Sequence, residues 1–150
     1  MKRYVVDSNL YIEAIRDPRA AAGLAEFAVA YAPNLLLHAV VAQELIAGAT
    51  SASSRRRLER ELLDPLERRG RLVVPTYAAW KRSGEIIAEL IGRGDLSVGG
   101  IPRSFPNDAV IAASCREAGI TLITRNRTDF DRIRKVEQVE IAAPWPRRYQ

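Results

Sequence analysis

Four carboxylic acids in this 150-residue chain stand where a solvated surface would not put them: Asp7, Glu44, Asp108 and Asp129. Asp7 directly follows the apolar run Tyr4-Val5-Val6, so a buried parallel strand would deliver its carboxylate beyond the strand's carboxyl end. A helix cap explains Asp7 equally well, because Asp readily starts helices. Glu44 is the only formally charged residue between Glu26 and Arg55, and its helical neighbours at three and four positions are Val40, Val41, Ala47 and Gly48. A lone carboxylate buried on that apolar, small-residue face costs several kcal/mol unless a cation or hydrogen bonds compensate. It is either a ligand, half of a buried pair with an Arg, or open to solvent at a helix end. Asp108 shares a helical stripe with Ile111, Ala112 and Cys115, although an acid in a first helical turn also suits the helix dipole. Asp129 comes five residues after Thr124. The segment Thr124 to Asp129 repeats the order seen at Asp7-Ser8-Asn9, a strand end with small polar residues and an acid. Asp131 is the neighbouring alternative, expected to be exposed.

The remaining composition narrows the chemistry. There are 23 Lys or Arg against 18 Asp or Glu, a formal charge of +5, with one Cys (Cys115) and one His (His38). Within one copy this excludes a disulfide framework, a structural zinc site of about four Cys or His ligands, and a two-histidine ribonuclease mechanism. Carboxylate and guanidinium are abundant, so catalysis would run through Asp or Glu, with basic residues addressing a polyanionic substrate.

Elements that position these acids can be read from the pattern. Arg3–Asp7, Leu35–Leu37, Leu72–Val74 and Ile120–Thr124 read as strands, with Val139–Ile141 as a last edge strand. Helices are expected from Ser8 through Ile15, over Pro18–Tyr31 and Val40–Ala49, and from a cap at Ser53 or Ser54 towards Arg69. In that last helix Arg55 with Glu59 and Arg57 with Glu61 form i,i+4 pairs, and Pro65 bends or divides it. Further helices are expected over Tyr77–Ile91, with Trp80, Ile87 and Ile91 on one side, over Asn107–Ala118 ended by Gly119, and as a turn over Asp129–Arg134. Gly92–Pro106 reads as a loop. Strands alternating with helices predict a single α/β domain, a three-layer α/β/α sandwich on a central, mostly parallel sheet. Its sites gather beyond the carboxyl ends of the strands. The domain is expected over residues 1–142, with 143–150 as a C-terminal tail and Tyr4, Phe27 and Trp80 in the core.

Asp7 interrupts the first apolar stretch after three residues, so no exportable signal core is expected. The longest uncharged stretch, Phe27 to Gln43, is broken by Pro33-Asn34 and falls short of the ~20 apolar residues a membrane span requires. A cytoplasmic setting is the expectation for such a chain with one thiol.

Four segments together resemble the PIN domain family, in particular the VapC-type toxin ribonucleases of prokaryotic toxin–antitoxin operons. They are Tyr4-Val5-Val6-Asp7-Ser8-Asn9, Val41-Ala42-Gln43-Glu44-Leu45, Asn107-Asp108-Ala109-Val110-Ile111-Ala112-Ala113, and Leu122-Ile123-Thr124-Arg125-Asn126 with Asp129-Phe130. The last two are the more specific, the likeness runs from about residue 3 to residue 141, and it is poorest over 92–106. The resemblance implies a metal-dependent endoribonuclease that leaves a 5′-phosphate and a 3′-hydroxyl. It assigns Asp7, Glu44 and Asp108 to the core metal and catalytic acids, Asp129 to a fourth, and Ser8, Thr124 and Asn126 to supporting positions. It further implies Mg²⁺, with Mn²⁺ as a substitute, an RNA substrate, a homodimer and a cognate antitoxin. Clustered carboxylates repel one another unless a hard divalent cation holds them, and such a cation removes the need for a histidine base.

Rival readings are weaker or of another class. A haloacid dehalogenase-type phosphatase would use Asp7 as nucleophile but wants a second acid where Asn9 stands. A receiver domain lacks an Asp ending the third predicted strand. A non-catalytic RNA-binding or regulatory module would use the stretch 55–71, which carries seven bases against four acids. Aromatic residues are only 7% of the chain, which argues against a base-stacking platform. Setting the four acids aside leaves 23 bases against 14 acids, a surface of +9 around a pocket of −4.

Overall fold

The computed structural model describes residues 1–147. Five short strands, β1 (Arg3–Val6), β2 (Leu35–His38), β3 (Leu72–Val73), β4 (Ile120–Ile123) and β5 (Ile141–Ala142), form one sheet in the order β3-β2-β1-β4-β5. Every pairing is parallel. β1 and β4 are central and covered on both faces, so their sequences carry unbroken apolar runs in place of alternation: Tyr4, Val5 and Val6 are buried, as are all four residues of β4.

The strand order reverses direction at the centre. From β1 the chain winds outward through β2 to the edge strand β3, then crosses to β4 and winds to β5. Right-handed crossovers in opposite directions place the two sets of connecting helices on opposite faces, giving three layers. One set begins with α1 (Ser8–Arg16), α2 (Pro18–Ala30) and α3 (Ala39–Gly48), in which α1 packs on both α2 and α3. It continues through α4 (Ala52–Leu58) and α5 (Asp64–Arg68). The other set is α6 (Tyr77–Gly92), α7 (Phe105–Ala118) and α8 (Arg127–Ile133), which pack on one another. α3 also meets α7, so the two layers touch beside the sheet.

Several local expectations are corrected. Asp7 does cap α1, its Oδ1 accepting from the Ser8 amide at 2.8 Å, so its cap reading holds beside its place at the strand end. The cap of α4 is Ser51, in a reciprocal capping box with Ser54. Between α4 and α5 the backbone widens into a π-helical turn over Glu59–Leu63, just ahead of Pro65, with the Asp64 amide donating to the Glu59 carbonyl. A proline cannot donate to the preceding turn, and the widened turn absorbs that defect. Arg57 pairs with Glu61 at 3.2 Å, whereas Arg55 forms no ion pair with Glu59 among the described residues. In α6 the buried face is Ala79, Ser83, Ile86 and Leu90, and Trp80 is 52% exposed. α7 begins two residues earlier than expected, at Phe105, and β5 lies at Ile141–Ala142, not Val139–Ile141.

Tyr4 and Phe27 lie in the core as expected. Trp145, assigned from sequence to the terminal tail, stacks on Phe27 with ring centroids 5.1 Å apart and passes so close to Gly23 that a Cβ there would meet its Nε1 at 3.0 Å. The tail residues 148–150 lie outside the described residues. Among the described residues, no helix is long and apolar enough to cross a membrane.

Candidate metal centre

The winding reversal leaves a crevice beyond the carboxyl ends of β1 and β4. Val6 pairs with Ile123 across that junction, and the Asp7 amide donates to the Ile123 carbonyl at 2.9 Å. The next residues out, Asp7 and Thr124, are therefore adjacent: Thr124 Oγ1 donates to Asp7 Oδ2 at 2.6 Å. Both are buried, Asp7 at 3% exposure. With Ser8 N on one oxygen and Thr124 on the other, the Asp7 side chain is fixed in direction. Burial nevertheless pushes its pKa above the usual carboxylate value, and the hydrogen bonds from Thr124 and Ser8 only partly oppose that.

Asp108 enters from the first turn of α7 and is also buried, at 4% exposure. Burial, together with repulsion from Asp7, Asp129 and Glu44, raises its pKa to about 8. Glu44 reaches the same region from α3. Burial first, then repulsion from Asp7, raises its pKa, while a hydrogen bond from the Ser8 side chain lowers it. Glu44 Oε1 is buried without a hydrogen-bond partner. Asn126, the cap of α8, orders the fourth acid. Its Oδ1 accepts from the Asp129 amide at 3.3 Å, and its Nδ2 donates to Asp108 Oδ2 at 3.3 Å and to Asp129 Oδ2 at 3.2 Å. The Asn126 amide in turn donates to Thr124 Oγ1 at 2.9 Å. Thr124 and Asn126 thus link Asp7, Asp108 and Asp129 in one network.

The structure brings all four sequence-derived acids to one end of the sheet, and among the described residues none of them pairs with a Lys or Arg. The alternative of a buried Glu44–Arg pair is not found. Asp131, the neighbouring candidate, is exposed and pairs with Arg127 at 3.5 Å. The donor set of uncompensated carboxylates and the orphaned Glu44 oxygen suit a hard divalent cation. Among the described residues, however, no three Asp, Glu, His or Cys side chains converge closely enough to hold an ion as they stand. They are coupled neighbours, not a closed cage.

His38 takes no part. It caps α3 through Nδ1, which accepts from the Val40 amide at 3.0 Å, and burial lowers its pKa to about 4. Cys115 is buried behind the centre, its thiol pushed up to about 12 by burial and by Asp7, so it is not a ready nucleophile. Sequence reasoning gave no role to the open depression beside Glu44, which has a volume of about 490 Å³ and is lined by Gln43, Glu44, Ala47, Arg103, Ser104 and Asn107. A signal was available: Arg103 is the only charged residue between Asp95 and Asp108.

A parallel α/β domain with a network of uncompensated acids at its winding reversal belongs to the class of folds that build sites beyond their strand ends. The family model of the PIN domain matches residues 4–136, and the chain belongs to that family. Solved structures share the fold. VapBC from Salmonella typhimurium, bound to DNA, is 21% identical with a TM-score of 0.73, covering 97% of this chain and 100% of that one. VapBC-1 from nontypeable Haemophilus influenzae is 23% identical with a TM-score of 0.66, covering 93% and 96%. A toxin–antitoxin complex from Klebsiella pneumoniae is 21% identical with a TM-score of 0.62, covering 95% and 98%. No curated protein sequence matches the chain.

Proposed function

We propose that this chain is a divalent-metal-dependent endoribonuclease of the VapC type, the toxin of a type II toxin–antitoxin pair. The observation that carries the reading is the meeting of four carboxylates, unpaired with any cation among the described residues, at the strand ends of a PIN domain. Asp7, Glu44 and Asp108 would hold Mg²⁺ or Mn²⁺, with Asp129 as the fourth acid. When bound, the ion supplies Lewis-acid activation of water and neutralises charge developing on the phosphodiester.

The chain's own groups do the rest. Ser8 N and Thr124 hold Asp7 in one orientation, and Asn126 holds Asp108 and Asp129. Asp108 keeps a proton up to about pH 8 in the free chain. It is the carboxyl that must give up that proton when a cation draws the acids together. Cleavage would leave a 5′-phosphate and a 3′-hydroxyl. An antitoxin partner and a homodimer belong to the same reading. Similar solved chains include a toxin–antitoxin complex, and the exposed Leu72, Val74, Tyr77 and Trp80, on and just after β3, offer apolar surface for a protein partner.

The decisive test is cleavage of a broad RNA panel with Mg²⁺ or Mn²⁺. Asp7→Asn and Asp108→Asn are expected to abolish cleavage while leaving the melting temperature near or above that of the parent, and EDTA is expected to do the same reversibly. Unchanged cleavage by both variants would overturn the reading. One observation favours a non-catalytic, RNA-binding alternative: the carboxylates are not closed into a cage among the described residues. That alternative predicts RNA binding by the unsubstituted chain with no cleavage at all.

A further inference from the structure

The depression borders the acid centre: Glu44 of α3 lines it, and so does Asn107 of α7, which directly precedes Asp108. Its lining combines one guanidinium, Arg103, with the neutral hydrogen-bonding side chains of Gln43, Ser104 and Asn107. Arg103 is exposed and, among the described residues, makes no ion pair and no side-chain hydrogen bond. Other arginines in the flanking segments are engaged: Arg125 binds Glu13 at 3.1 Å, Arg127 binds Asp131, and Arg93 binds Asp95 at 2.9 Å. Nor is Ser104 used structurally, since its side chain makes no capping bond although it precedes α7.

A strand of nucleic acid approaching four acids is repelled along its whole backbone, and a cation on the rim offsets that repulsion where the chain enters. A guanidinium can present two parallel N–H groups to one phosphate, and neutral donors beside it can take the remaining oxygens. We infer that Arg103 and Asn107, with Gln43 of α3 lining the same depression, form a phosphate clamp that seats the RNA backbone one step away from the acid centre. The inference rests on the nuclease reading and deepens it. It gives the connection between α6 and α7, within the 92–106 stretch where the family likeness is poorest, a role in holding substrate.

The test measures binding of a fluorescein-labelled, single-stranded RNA 20-mer of randomised sequence, with Mg²⁺ present and Asp108→Asn in every protein to stop cleavage. Binding is followed by anisotropy at several salt concentrations. Adding Arg103→Gln is expected to weaken binding about tenfold near 0.1 M salt and to reduce the log–log salt slope by about 0.7, the value for one single-strand phosphate contact. Arg103→Lys should recover most of the slope but less of the affinity, because it keeps the charge and loses the fork. Unchanged melting temperature in both variants is expected, since Arg103 holds nothing in the fold. If Arg103→Gln leaves affinity and slope unmoved while the unsubstituted chain cleaves RNA, the clamp is wrong and the nuclease reading stands. If the unsubstituted chain neither binds nor cleaves RNA, both fall together.

Discussion

At the scale of single residues, the centre is expensive for the fold. Burial and mutual repulsion raise Asp108 to about 8 and push Asp7 and Glu44 upward as well. In the unfolded chain an Asp ionises at 3.8, so between about 4 and 8 the unfolded state binds fewer protons than the folded one, and stability falls as pH rises. His38 acts in the opposite direction. Its pKa drops from 6.5 to about 4 on burial, so over that interval the unfolded chain takes up a proton that the folded chain refuses, and stability rises with pH. His38 opposes only part of the acids' effect below pH 6.5, because Asp7 and Glu44 are raised beside Asp108, and only the acids act above it. In EDTA, the unfolding free energy is therefore expected to fall gently from about pH 5 to 6.5 and then more steeply, by up to ~1.4 kcal/mol per pH unit for Asp108, towards pH 8. Asp108→Asn should remove most of that fall. Urea titrations across the range would check this, and an equal decline in Asp108→Asn would count against the arrangement described. The types and spacing of these acids were legible in the sequence. Their coupling was not, because the contacts that raise Asp108 join residues far apart in the chain.

At the scale of elements, α7 and β4 carry the most weight, because α7 delivers Asp108 and β4 ends at Thr124. Gly119 joins them in the left-handed region, at φ 65°. A Cβ in that conformation costs about 1–2 kcal/mol, and nothing lies within 4 Å to add a clash. Gly119→Ala is therefore expected to lower stability by that amount in urea unfolding while RNA cleavage by the folded fraction is kept. A loss of cleavage without a loss of stability would contradict the structural role given to this turn. Elements with strong local signals, such as β1, α2 and the Gly119 stop, could be read from sequence almost to the residue. α6 could not. Of Trp80, Ile87 and Ile91, which share a helical side, the two isoleucines pack partly buried against the core and only Trp80 is exposed, because the helix is rotated to bury Ala79, Ser83, Ile86 and Leu90. The strand order was likewise beyond local signals, since parallel neighbours such as β1 and β4 are separated by most of the chain.

At the scale of the whole molecule, the net charge of +5 divides into a basic surface and an acidic crevice. Ion pairs neutralise much of that surface locally. Arg82, for example, binds Glu89 and Glu137 and donates to the Val136 carbonyl, tying α6 to the chain after α8. The crevice gathers four acids with no cationic partner among the described residues. The central claim is that this imbalance is resolved by a divalent ion. Calorimetric titration of Mn²⁺ into the metal-free chain near pH 7.5, beside Asp7→Asn and Asp108→Asn, tests it most directly. The account predicts saturable binding with proton release by the unsubstituted chain and at least a tenfold loss, roughly, in each variant. Equal Mn²⁺ affinity in all three proteins, or no binding by the unsubstituted chain, would contradict it.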